Sequence, residues 1–72
     1  MNTRSAPNLD KLRNIVQRFG STSFTTAQVA SEYDDSPANS DTTRLFDALL
    51  ARHATVLGIQ AVHGEHSVWQ AA

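Results

Sequence analysis

The sequence predicts a mainly α-helical domain, three helices finished by a small β-hairpin, an α+β fold. Three observations carry that prediction. Apolar residues recur at helical spacing across residues 9–19 and again across 41–53. Thr25 and Gln28 stand three apart, the spacing of a capping box that opens a helix. Beyond His53 the period shortens, and β-branched and apolar residues tend to alternate over 55–62 and 67–71, on either side of Gly64.

Residues 1–7 are polar and unpatterned, so a flexible arm is expected there and a folded domain over 8–72. Pro7 suits a first helical turn because it has no amide hydrogen to leave unpaired, and Asn8 competes with it as the cap. From there Leu9, Leu12, Ile15, Val16 and Phe19 share one face of a helix over about 8–19. Asp10 near its start and Arg18 near its end complement the helix dipole, and Gly20 ends it. Residues 21–23 form a linker with room for a short strand.

The second helix is expected over about 26–33. Thr25 caps it, Gln28 returns the favour, and Phe24 and Val29 flank the cap as a hydrophobic staple. Val29, Ala30 and Tyr33 face inward. The turn-rich DDSPAN at 34–39 stops this helix. Ser36 with Pro37, or Ser40, can open the third, and Ser40 gives the regular start at about 41–53. On a helical wheel Thr42, Leu45, Phe46, Leu49, Leu50 and His53 form an arc to bury. Ser40, Thr43, Arg44, Asp47 and Ala51 form the opposite, free arc. The hairpin follows at about 55–71, with a four-residue loop from His63 to His66 and with Gly58 marking a bulge or a close backbone approach in its first strand. Leu9, Leu12, Val16, Phe19, Val29, Tyr33, Leu45, Leu49, Leu57, Ile59 and Trp69 should share one core.

Composition bounds what such a domain does. At 72 residues there is one domain with one small core, burying roughly 60% of the surface its unfolded chain exposes. Without cysteine there is neither a disulfide frame nor a zinc-thiolate staple. No apolar signal core or membrane-length apolar run is present, so a cytoplasmic protein with no membrane partner is expected. The formal net charge of −1 is not the basic balance of a dedicated nucleic-acid binder. The charges are also segregated. Arg4, Lys11, Arg13 and Arg18 lie early, whereas Glu32, Asp34, Asp35, Asp41 and Asp47 crowd a middle interrupted by Arg44.

The helix, linker, helix, turn, longer helix, hairpin order resembles the winged helix-turn-helix superfamily. The residues that carry the likeness are FTTAQVA at 24–30, RLFDALL at 44–50 and the hairpin at 56–70. It extends over nearly the whole chain, from about 8 to 70, as a likeness of pattern without a diagnostic motif. The resemblance implies a third helix that enters the major groove of duplex DNA and a hairpin loop that touches the backbone or minor groove, in a small transcriptional regulator. On that basis Asn39, Ser40, Thr43 and Arg44 reach bases or phosphates, and His63 and His66 sit at the wing tip. Arg can pair with guanine and Asn with adenine, so the chemistry is available. The connector at 34–39 is longer and more acidic than the superfamily pattern, and the wing tip has histidines in place of Arg or Lys.

A different class of function fits the acidic middle: an interaction module docking on a basic protein, without DNA. A homodimer is compatible with either. Histidines three apart beside Glu65 suggest a metal only weakly, since no cysteine or second cluster accompanies them, and no metal or other cofactor is expected. No nucleophile elbow, Gly-rich phosphate loop or framed carboxylate pair is present, and so short a chain has little room for a substrate pocket, so no enzyme activity is expected. Trp69 lacks the basic and aromatic neighbours of a stacking platform and belongs in the core.

Overall fold

Local capping chemistry sets where each helix begins. In the computed structural model, which describes residues 8–72, the Asn8 side chain accepts the Lys11 amide and opens α1 (Leu9–Phe19). The expected arm at 1–7 lies outside the described residues. A two-residue strand β1 (Phe24–Thr25) leads into α2 (Thr26–Asp34), then α3 (Ser40–Leu57), β2 (Ile59–Ala61) and β3 (Val68–Ala71). The fold is therefore mainly helical α+β, three helices with one small antiparallel sheet of order β1-β3-β2.

The capping box at α2 forms as its spacing predicts. Thr25 Oγ1 accepts the Gln28 amide at 3.1 Å, and Gln28 Oε1 accepts the Thr25 amide at 2.8 Å. Thr25→Ala should cost about 1 kcal/mol in urea-unfolding free energy, because it leaves an α2 amide unpaired. An unchanged midpoint would mean that solvent satisfies that amide equally well.

The start of α3 differs from the expected Ser40 cap. Asn39 caps instead, with its Oδ1 accepting the Thr42 amide and its own amide donating to Thr42 Oγ1, both at 2.9 Å. Thr42 thus takes the role usually filled by Glu or Gln in a capping box. The end of α3 differs more. The helix runs on to Leu57, with a non-helical backbone at His53 (φ −109°, ψ 15°). His53 is half-buried at this irregularity and does not close the helix.

Gly58 is neither a bulge nor part of a strand. It is the C-cap, at φ 74° and ψ 35°, with its amide donating to the Ala54 and Thr55 carbonyls. β2 consequently starts at Ile59, four residues later than the hairpin predicted from Thr55. A left-handed glycine after an apolar helical turn explains the difference: 55–57 are β-branched or apolar, but Gly58 provides the stop that a helix prefers.

The hairpin also gains a strand. β3 pairs on one side with β2 (Ile59↔Ala71, Ala61↔Trp69) and on the other with β1 (Phe24↔Trp69, Thr25↔Val68). The loop between β2 and β3 spans 62–67, wider than four residues, and the Glu65 amide closes a turn on the Val62 carbonyl over Gly64 at φ 84°.

The core draws on every element: Leu12, Ile15 and Val16, Phe24, Val29 and Ala30, Phe46, Leu50 and Leu57, Ile59, and Trp69. Leu9, Phe19, Tyr33 and Leu49 pack against it half-covered, and Leu45, expected inside, is 57% exposed. Phe19 stacks on Phe24 with ring centroids 4.7 Å apart, and Tyr33 meets Phe46 edge-on at 5.3 Å. These two aromatic pairs tie α1 to β1 and α2 to α3.

Candidate nucleic-acid interface

Asn39, Ser40, Thr43 and Arg44 lie together at the start of α3, as their spacing requires, but they are not equally available. Ser40 and Arg44 are exposed. Asn39 is exposed too, although its carbonyl oxygen is committed to the cap. Thr43, expected on the free arc, is half-buried. His63 and His66 are both exposed on the loop between β2 and β3.

The reason Thr43 is covered is a rotation of α3 about its axis relative to the arc drawn from hydrophobicity. Asp47, assigned to the free side, faces inward. Its Oδ1 accepts from Thr26 Oγ1 at 2.5 Å and its Oδ2 from Ser67 Oγ at 2.9 Å. Thr26 is fully buried and also accepts the Trp69 indole N–H at 2.8 Å. The Thr26 amide donates to the Ser67 carbonyl at 2.9 Å. Four residues from α2, α3, the loop and β3 thereby satisfy one another, and no buried side-chain polar atom among the described residues is left without a partner. Thr26 is therefore not a neutral position one step inside the helix, as capping alone suggests.

The same network positions the loop. Ser67 holds a positive φ of 60°, uncommon for a residue with a side chain, and both its carbonyl and its hydroxyl are fastened to neighbours. Asp47 is one helical turn beyond Thr43, so the end of the loop is anchored beside the first half of α3. The candidate residues of helix and loop are thus linked through Asp47, which sequence reasoning placed on the opposite side.

With Asp47 withdrawn, the exposed side of α3 consists of Ser40, Asp41, Arg44, Leu45, Ala48, Ala51, Arg52, Thr55 and Val56. Two arginines face one carboxylate. Arg52 was not among the candidates, although its distance of eight residues from Arg44, a little over two helical turns, was legible.

The remaining described cations serve elsewhere. The Lys11 ammonium lies over the Tyr33 ring, 4.7 Å from its centroid. Arg18 pairs with Glu32 at 2.9 Å. Arg13 makes a long contact of 3.5 Å to the Val56 carbonyl near the end of α3. The acids are equally dispersed: Glu32 is paired, Asp47 is turned inward, and Asp34, Asp35 and Asp41 are exposed around the connector.

Two further features bear on chemistry. An open groove of about 370 Å³ is lined by Phe19, Ala27, Gln28, Ser31, Glu32 and Ala38, more space than expected for so short a chain. Its one carboxylate is the Glu32 already paired with Arg18. Among the described residues no group of His, Asp or Glu could hold a metal ion, and no helix is long and apolar enough to cross a membrane.

No family model, no curated protein and no solved structure matches the chain.

Proposed function

We propose that the chain is a winged helix-turn-helix domain that binds duplex DNA through the exposed side of α3, with the 62–67 loop as the wing. The order α1-β1-α2-α3-β2-β3, with β1 joining the outer side of β3, supports the winged-helix assignment. The single observation that carries the DNA reading is the charge of that α3 face. Asp47 points into the fold, so Arg44 and Arg52 stand free with only Asp41 against them. Phosphates reward cations that are not already committed, and these two have no partner carboxylate within ion-pair distance among the described residues. Arg44, in the first turns of the helix, is the base-reading candidate. Arg52, farther along, is a phosphate contact.

Titration of labelled duplex at about 50 and 200 mM salt tests this. Arg44→Ala should weaken binding by about 1–3 kcal/mol at a specific site, and Arg52→Ala should weaken all sequences alike. The salt dependence should be shallow, with a log–log slope of about −0.9 for the one phosphate that Arg52 neutralises. Arg18→Ala is the control, because its guanidinium is engaged by Glu32 and should contribute nothing. Absence of binding at the lower salt overturns the proposal, as does an equal loss for Arg18→Ala and Arg44→Ala. The acidic connector would then be left as a docking site for a basic protein.

A further inference from the structure

The exposed side of α3 is unusual for more than its arginines. Leu45 and Val56, at 57% and 53% exposure, are the large apolar residues left most open to solvent in the described chain, and both lie on this helix. Asp41, Leu45, Ala48 and Arg52 recur at spacings of four, three and four residues. At 100° per residue they fall within an arc of about 60°, a single narrow stripe. All four are exposed.

We infer that this stripe is a self-association surface, and that its occupant is α3 of a second copy of this chain, packed antiparallel. The pattern reads the same from either end. Placed antiparallel with Leu45 opposite Ala48 of the second copy, the helix brings Asp41 opposite Arg52, and the two-fold axis repeats both contacts. Each leucine meets an alanine, small enough for the helix axes to approach closely. Two Asp41–Arg52 ion pairs bracket this apolar centre, and they fix both the direction and the register. A parallel pairing would set Asp41 against Asp41 and Arg52 against Arg52, which like-charge repulsion disfavours. Arg44 sits at the edge of the stripe and would remain accessible.

One helical stripe buries less than the roughly 800 Å² per partner of a stable interface, so the dimer is weak and concentration-dependent. It also occupies the face proposed above for DNA, so duplex and second copy compete for α3. Self-association is independent of whether DNA binds, and it is measured without DNA.

Sedimentation of the full chain from about 10 µM to 1 mM, with far-UV circular dichroism on every variant as the check on folding, tests the inference. The parent should shift from monomer towards dimer across that range. Leu45→Glu should stay monomeric at the top of it. Asp41→Arg and Arg52→Asp should each weaken association at least tenfold, and the double exchange should restore it. An equimolar mixture of the two single exchanges should associate where neither does alone, because a chain with arginine at both positions then meets a chain with aspartate at both, and each ion pair has opposite charges. A parent that stays monomeric at about 1 mM overturns the inference. So does a dimer indifferent to Leu45→Glu, or a double exchange no better than the single ones.

Discussion

Leu50→Ala is expected to lower the free energy of unfolding by about 3–5 kcal/mol, while Leu45→Ala, five residues earlier on the same helix, changes it by less than about 0.5 kcal/mol. Leu50 is fully buried, whereas Leu45 is 57% exposed. Truncating Leu50 removes apolar contacts and leaves a cavity where α3 faces Leu12 and Val29 in the common core, and in a domain this small there is little room to relax. Small domains have only several kcal/mol of total stability, so the Leu50 variant should be largely unfolded near physiological temperature. Urea denaturation followed by Trp69 fluorescence measures both variants. A larger loss at Leu45 than at Leu50 would mean that α3 is rotated towards the arc drawn from hydrophobicity alone.

Asp47→Ala carries the second large effect, a loss of about 2–4 kcal/mol. The carboxylate accepts two hydroxyl hydrogen bonds, from Thr26 and Ser67, and bonds to a charged group are worth about 1.5–3 kcal/mol each before the cost of loosened neighbours. Truncation strands the buried Thr26 hydroxyl proton and frees the Ser67 side chain that helps to hold its positive φ. Asp47→Asn should lose about half as much, since one amide oxygen still accepts. Any gain in DNA affinity from removing that charge would therefore be accompanied by a less stable fold. The second measurement is amide exchange: residues 62–67 should lose protection in Asp47→Ala beyond what global destabilisation explains. Unchanged stability, or protection lost evenly along the chain, would show that Asp47 does not anchor the loop.

Local chemistry was the most legible part of the fold. A capping box needs only residues three apart, so Thr25 and Gln28 announced the start of α2 without help from the rest of the chain. α1 was equally plain, because its apolar residues form one stripe with no competing assignment, and Leu12, Ile15 and Val16 are buried as the period requires. The two candidate groups at the start of α3 and in the hairpin loop followed from helix order. The strand β1 did not announce itself, since two residues carry too little pattern and acquire strand geometry only by pairing with Val68 and Trp69.

The side that α3 turns to solvent could not be read from α3. Its apolar residues come in adjacent couples, Leu45 with Phe46 and Leu49 with Leu50, and each couple offers two burial directions about 100° apart. Hydrophobicity along the helix does not choose between them. The choice falls to the Thr26 and Ser67 hydroxyls, 21 and 20 residues away in sequence, which meet Asp47 only once α2, the loop and α3 are assembled. A carboxylate turned inward needs those donors. With them in place Phe46 and Leu50 go to the core, Leu45 goes to the surface, and Arg44 and Arg52 share the exposed side. Periodicity and capping thus determine that the chain makes these three helices and roughly where they begin. Which face α3 presents depends on pairing buried polar groups across long sequence separations, and no local pattern encodes that requirement.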